Sequence, residues 1–228
     1  MKNQVDQIIT KLKKKSSQNS LQGMASFGID VKYALGVSMP EVRKIAKEIG
    51  KDHILAQKLW QTKIHEARIL ASIIDDPSMV NSKQMDTWIN GFNSWDICDQ
   101  CCMNLFSKIS IAFRKAKEWS QLDSEFKKRA GFALMASLAV HDKKAENKKF
   151  LPFLKIIQQE AKDERNFVKK AVNWALRQIG KRNLELNYLA IQTAEKILKQ
   201  PYKSSQWIAK DALRELRSSQ IQARLKRG

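Results

Sequence analysis

The chain has 228 residues, of which 43% are hydrophobic and 29% are charged. This composition is typical of a folded globular protein and excludes an intrinsically disordered chain. The formal net charge is +19, with +5 in residues 1–114 and +14 in residues 115–228. Such an excess predicts a polyanionic partner. Nucleic acid is favoured over a membrane because no apolar run of about 18 residues is present, and the absence of a secretory h-region favours a cytoplasmic protein.

Apolar residues recur at helical spacing along the whole chain, and no segment alternates with the period of two that is typical of strands. We predict about a dozen helices, with N-terminal signals such as Pro40 in a first turn and Ser94 as a cap. Their expected ranges are 3–15, 40–49, 52–61, 64–75, 82–90, 94–107, 111–120, 123–140, 146–162, 164–181, 183–199 and 203–218. The sequence therefore predicts an all-α protein.

So many short helices do not form a four-helix bundle. Antiparallel helix pairs stacked in sequence are the natural solution, and degenerate HEAT-like pairs fit because tetratricopeptide and ankyrin patterns are absent. The apolar segment 130–140 predicts a helix buried inside such a stack. We expect one curved solenoid domain over residues 1–228, with residues 1–20 and 218–228 frayed or mobile.

The three cysteines are Cys98, Cys101 and Cys102. The Cys-x-x-Cys spacing raises zinc and redox interpretations, but no paired histidines or surrounding strands accompany it. On a helix, Cys98 and Cys101 share a face with Leu105, so we interpret them as core residues. No metal site is predicted.

One tryptophan lies away from the predicted core. The buried stripe of helix 164–181 consists of Val168, Ala171, Val172, Ala175 and Ile179. Trp174 points roughly 120° from that stripe and shares its side with Lys170, Arg177 and Lys181. An aromatic ring flanked by cations indicates either a surface that meets a polyanion or an interface between neighbouring helices.

A second displaced aromatic precedes a carboxylate. Trp95 and Asp99 are four residues apart on the helix that begins after Ser94, about 120° from its core face. Asp99 could pair with a nearby cation or cap a neighbouring helix while Trp95 packs. Alternatively, both belong to a functional groove.

In the functional alternative, Trp95 and Asp99 line the same groove as Trp174 and Arg177. A lone carboxylate in a phosphate-binding groove weakens binding, so it is reasonable there only if positive charge develops during a reaction. Breaking an N-glycosidic bond creates oxocarbenium character, which a carboxylate stabilises, and indole faces suit a cation. A nuclease would instead need clustered carboxylates for metal.

Three segments resemble the AlkD-type DNA alkylation repair family. They are residues 35–43 (LGVSMPEVR), 94–99 (SWDICD) and 169–177 (KKAVNWALR), and the similarity extends over roughly residues 20–215. The resemblance implies an all-helical HEAT-like solenoid that removes cationic alkylated bases, chiefly 3-methyladenine and 7-methylguanine, from duplex DNA. It also implies that no metal or cofactor is used and that the lesion is engaged without the usual flipping pocket.

The resemblance also implies roles for individual residues. Asp99 matches the catalytic carboxylate, and Trp95 and Trp174 match aromatics that touch the deoxyribose beside the lesion. Phe27 stands where one branch of the family places a tyrosine, which leaves stacking but no hydroxyl hydrogen bond. The expected DNA-backbone contacts are Arg43, Arg129, Lys170 and Arg177.

From these observations we expect a monofunctional alkylpurine DNA glycosylase that acts as a monomer on double-stranded DNA. A cationic base needs no protonation to leave, which fits the absence of a general-acid histidine near the motifs. With no lysine identified as a Schiff-base nucleophile, we expect an abasic product without strand cleavage. The alternatives are a non-catalytic HEAT-repeat nucleic-acid-binding protein and a scaffold for an acidic protein.

Overall fold

The computed structural model describes residues 2–227, and every regular element in that range is a helix, as the periodicity predicted. The chain divides into two units, which are described separately: unit 1 is Met1–Ile109 and unit 2 is Ser110–Gly228. The assignment of residues 1–228 to one repeat domain stays a prediction.

Unit 1 contains seven α-helices within the described residues. They are α1 (Lys2–Lys13), α2 (Gln18–Ser26), α3 (Met39–Ile49), α4 (His53–Gln61), α5 (His65–Ile74), α6 (Ser82–Ile89) and α7 (Trp95–Asn104), followed by a 3₁₀ turn at Phe106–Lys108. Helix α5 packs against α3, α4 and α7 and is the centre of the unit. A parallel stack of Trp60 on Trp88, with ring centroids 4.1 Å apart, anchors the core.

Unit 2 also contains seven α-helices among its described residues. They are α8 (Ala112–Trp119), α9 (Glu125–His141), α10 (Leu151–Glu160), α11 (Asn166–Gly180), α12 (Leu184–Leu198), α13 (Lys203–Leu216) and α14 (Ser219–Arg227), with a 3₁₀ turn at Asn147–Lys149 before α10. Helix α9 packs against α8 and α11 and is buried from Lys128 to Ala139, which confirms the predicted buried helix. A Cβ on Gly131 would lie 2.3 Å from the backbone nitrogen of Ser120, so only glycine allows this approach of α8.

Both ends of the described chain are helical, although the sequence favoured frayed ends. In α1, Ile8 and Leu12 are four residues apart and buried, and in α14, Ile221 and Leu225 repeat this spacing. These pairs place one apolar face of each terminal helix against the rest of its unit. Helix α2 begins within the polar segment 16–20, which was not predicted to be helical. Ser17 caps this helix by accepting a hydrogen bond from the backbone nitrogen of Ser20.

The predicted helix 146–162 is interrupted. The structure places a 3₁₀ turn at Asn147–Lys149, and α10 begins afterwards with Pro152 in its first turn. Proline has no amide hydrogen and starts helices more readily than it continues them, so a single helix through this position is disfavoured.

Candidate functional site

Helix α7 carries Trp95 and Asp99 on the same side, as predicted from their spacing. The indole of Trp95 is half-buried, and its Nε1 donates a hydrogen bond to the backbone oxygen of Phe27 at 3.1 Å. The aromatic ring of Phe27 itself is exposed, with 71% of the residue accessible. Trp95 and Phe27 are therefore brought together in unit 1, although 68 residues separate them.

Asp99 lies deeper than the helix geometry predicted, because only 8% of the residue is exposed. Its neighbours in sequence, Ile97, Cys98 and Cys101, are core residues. A carboxylate in such surroundings is shielded from water, so its field acts on a nearby positive charge with less screening than at the surface. Burial therefore strengthens the electrostatic interactions of this carboxylate with charges near it.

A hydrogen-bonded cluster fixes the first turn of α7. His65 Nε2 lies 2.7 Å from Asp96 Oδ2, while Ser94 Oγ and the backbone nitrogen of Ile97 donate to Asp96 Oδ1 at 2.6 and 2.9 Å. Burial alone would raise the pKa of Asp96, but the hydrogen bond and charge of His65 and the other donors bring that pKa below its ordinary value. Asp96 is thus a structural carboxylate that orients the helix carrying Trp95 and Asp99.

Glu66 fixes the loop that leads into α3. This carboxylate is only 1% exposed, and it accepts hydrogen bonds from three consecutive backbone amides, those of Leu35, Gly36 and Val37, at 2.7 to 3.1 Å. The loop is the first family-like segment, and α3 then presents Arg43 on the surface, where it is exposed. Arg43 therefore has the accessibility that a phosphate contact requires.

In unit 2, α11 places Trp174 and Lys170 as predicted. The stripe from Val168 to Ile179 is buried, Trp174 is half-buried and Lys170 is exposed. The core prediction for this helix is therefore confirmed, and the indole lies at the edge of that core. Trp174 and Lys170 are separated by about one turn on α11 and lie near the same surface.

Arg177 belongs to an ion-pair network between α11 and α13, called here the α11–α13 charge cluster: Arg177, Lys181, Asp211 and Glu215. Arg177 Nη1 lies 2.7 Å from Asp211 Oδ2, and its Nε pairs with Glu215. Lys181 Nζ also pairs with Glu215, at 2.7 Å, and Asn173 Nδ2 donates to Asp211 at 2.7 Å. Arg214 also pairs with Asp211, so the two acids are shared among three cations, and Arg177 is not a bare positive charge.

Few features of the sequence indicated this cluster. Asp211 and Glu215 are four residues apart and so share a face of α13, which was a readable signal. Their partner Arg177 precedes them by 34 and 38 residues, and periodicity within one helix does not show which helices pack together.

Arg129 is also less accessible than a phosphate contact would require. It is 6% exposed, and its Nη1 donates a hydrogen bond to the backbone oxygen of Phe167 at 2.6 Å. This contact links α9 to the first turn of α11. The geometry therefore favours a role in positioning the helix that carries Trp174.

Cys98 and Cys101 are core residues, as predicted, and Cys102 is buried as well. None of the three is in a disulfide bond or has exposed surface, and burial raises the pKa of Cys101 well above its ordinary value. Within residues 2–227, no three His, Cys, Asp or Glu side chains are grouped so that they could bind a metal ion. No helix in the same range has both the length and the apolar character needed to cross a bilayer.

The predicted site residues fall into two groups. Phe27, Arg43, Trp95 and Asp99 lie in unit 1, whereas Arg129, Lys170, Trp174 and Arg177 lie in unit 2. Within unit 1, the structure joins Trp95 to Phe27, and within unit 2 it joins Arg177 to α13. The convergence of the two groups on one groove stays a prediction.

Known proteins resemble this chain both in sequence and in fold. Residues 8–216 match the sequence profile of the DNA alkylation repair enzymes. One solved structure, from a family described as related to the HEAT-like repeat DNA glycosylases with affinity for branched DNA structures, aligns with a TM-score of 0.77 and 22% identity. That alignment covers 92% of this chain and 94% of the other, and it establishes the HEAT-like fold.

A second structure, of an engineered protein, covers 79% of this chain and 92% of its own at 14% identity, but its TM-score of 0.42 supports no conclusion. A search of curated proteins found no match. The sequence profile spans most of the chain, and the fold agrees with it. The chain belongs to the DNA alkylation repair enzyme family.

Proposed function

We propose that this protein is a monofunctional DNA glycosylase that hydrolyses the N-glycosidic bond of cationic alkylated purines, such as 3-methyladenine and 7-methylguanine, in duplex DNA. The observation that carries the proposal is the nearly enclosed carboxylate of Asp99, one helical turn from Trp95, in a member of this family. The net charge of +19 supports a DNA partner.

In this proposal the alkylated base is already a good leaving group because it is positively charged. As the glycosidic bond lengthens, positive charge moves onto the deoxyribose, and Asp99 stabilises that charge and orients the attacking water. The shielding of Asp99 makes this interaction stronger than it would be at an exposed position. No residue is required to protonate the base.

The remaining residues have supporting roles. Trp95 and Trp174 present indole faces to the cationic sugar, and Phe27 offers an exposed ring for stacking. Arg43 and Lys170 are exposed and contact phosphates. The expected backbone contacts of Arg129 and Arg177 become positioning roles in this proposal, because both guanidinium groups are engaged within unit 2.

The test is an assay of the products formed from a duplex that contains a single 7-methylguanine. We expect the protein to release the free base faster than the spontaneous reaction, and the DNA strand to break only after treatment with alkali. Release no faster than the spontaneous rate, by a protein that binds the duplex, would overturn the proposal.

That second outcome would favour a non-catalytic HEAT-like DNA-binding protein. One observation supports this alternative, namely the similarity to a structure whose family is described as having affinity for branched DNA. Binding to a four-way junction much tighter than to a duplex of equal length, without base release, would identify this function.

Replacement of Trp174 by alanine tests its proposed contact with the sugar. We expect base excision to fall by about tenfold or more, while affinity for undamaged duplex changes less than threefold, because a cation–π contact of roughly 1–2 kcal/mol forms mainly when the sugar becomes cationic. Trp207→Ala is the matched control, since that indole is exposed on α13. Equal losses of excision and affinity would show that Trp174 only binds DNA or packs, and would contradict the proposed contact with the cationic sugar.

The α11–α13 charge cluster predicts the effect of replacing Arg177. Arg177→Ala removes the one cation that pairs with both Asp211 and Glu215, which leaves these acids with two cationic partners instead of three, so we expect affinity for undamaged DNA to fall about tenfold through repulsion of phosphates. The double variant Arg177→Ala/Asp211→Asn removes one of these two partly exposed acids and should recover most of that loss. If the second substitution restores nothing, Arg177 contacts a phosphate directly.

A further inference from the structure

A pocket with a volume of about 410 Å³ lies in unit 2, lined by the end of α9, the segment between α11 and α12, and α14. Four of its lining residues are cations, and none is acidic: Lys143, Lys181, Arg182 and Arg224. The volume is at the low end of the range of roughly 300–1,000 Å³ that is common for small-ligand sites. We propose that this pocket is a phosphate-binding site, distinct from the residues to which the excision chemistry was assigned.

The two arginines are held in place by the backbone. Arg182 donates to the carbonyl oxygens of Ala139, at 3.0 Å, and Ala145, at 2.8 Å, and its guanidinium lies 4.7 Å from the centroid of the Phe150 ring. Arg224 donates to the backbone oxygen of Lys181 at 2.9 Å. A guanidinium has five N–H donors, so each arginine keeps donors for a bound anion and loses little further freedom on binding it.

No carboxylate among the described residues lines the pocket to balance its positive charge. Lys143 is exposed, and within residues 2–227 neither it, Arg182 nor Arg224 forms an ion pair. Asp142 attracts Arg182, but its Oδ1 accepts a hydrogen bond from the backbone nitrogen of Ala145 at 3.0 Å and it does not line the pocket. Lys181 is paired with Glu215, but the other three cations around the cavity repel each other, and a bound anion relieves that repulsion.

The chemistry of the four cations favours phosphate. Guanidinium groups form forked hydrogen bonds with phosphate oxygens, and ammonium groups add compact positive charge. Two sources of phosphate fit the pocket: the backbone of bound DNA and a small phosphate ester. Both present phosphate oxygens to the same four cations, and the experiment below distinguishes them. The inference is independent of glycosylase activity, because the proposed function gives none of the four cations a role in base excision.

The experiment compares Lys143→Gln with Lys144→Gln, which removes the same charge from the adjacent exposed lysine outside the pocket. In the same way, Arg224→Gln is compared with Arg227→Gln on α14. Arg182 is left intact because it donates hydrogen bonds to two backbone carbonyl groups. Thermal denaturation of each variant confirms that it is folded.

Binding of inorganic pyrophosphate is measured by calorimetry, and duplex DNA binding is measured as a function of salt. We expect Lys143→Gln and Arg224→Gln to weaken pyrophosphate binding about fivefold or more, with their controls near wild type. If DNA occupies the pocket, each pocket variant also lowers the slope of log affinity against log salt by about 0.9. An unchanged slope with lost pyrophosphate binding assigns the pocket to a small phosphate ester. Equal behaviour of pocket and control variants in both measurements would overturn the inference.

Discussion

Asp99→Asn is expected to slow excision of 7-methylguanine by roughly 10²–10³-fold under single-turnover conditions, the usual effect of removing one preorganised electrostatic group from a shielded site. The amide keeps the shape of the side chain but loses the negative charge to which the proposed function assigns stabilisation of the developing cation. Affinity for undamaged duplex should stay the same or rise slightly, because a negative charge has been removed from a DNA-binding protein.

The control for this variant is Asp6→Asn, which makes the same change of charge at an exposed position in α1. A loss of excision without a loss of affinity separates a catalytic carboxylate from a structural one, since loss of structure would lower both. If Asp99→Asn excises the base at the wild-type rate, the role of Asp99 in the reaction is refuted.

Glu66→Ala is expected to lower the free energy of unfolding by roughly 3–5 kcal/mol, because it leaves three backbone amides, two of them buried, without an acceptor. The loop has little freedom to find other partners. Gly36 has φ of 74°, and a Cβ there would lie 2.4 Å from the backbone oxygen of Ser17, so the backbone is held in one arrangement. Urea denaturation measures the loss.

Glu146→Ala provides the comparison, since Glu146 is exposed and its ion pair is with the exposed Lys148, and we expect a change within about 0.5 kcal/mol. Glu66→Gln keeps one acceptor oxygen and should fall between the two alanine variants. A Glu66→Ala protein as stable as the Glu146→Ala control would show that the loop does not depend on this carboxylate.

The core could be predicted from the sequence where a single helix decides which residues are buried. The stripe from Val168 to Ile179 and the buried Cys98 and Cys101 follow from the rotation of about 100° per residue along a helix. The same geometry placed Trp174 and Lys170 correctly relative to that core. These predictions needed no knowledge of neighbouring helices.

The sequence did not predict features that depend on distant partners. Helical rotation gives the direction in which Asp99 points, but its burial depends on which other elements cover that side of α7. Glu66 accepts hydrogen bonds from backbone amides about 30 residues earlier in the chain, and Arg177 is paired with acids on another helix. The basic pocket combines residues from α9, α14 and the segment between α11 and α12, so no continuous motif marks it.

The central claim is that Asp99 stabilises positive charge on the sugar, and binding of transition-state mimics tests it most directly. Two duplexes are compared at one salt concentration: one carries a cationic pyrrolidine in place of the deoxyribose, and the other carries the neutral tetrahydrofuran. We expect the wild-type protein to bind the cationic ring about tenfold or more tightly, and Asp99→Asn to lose that preference. Equal affinity of the wild-type protein for the two rings would contradict the claim.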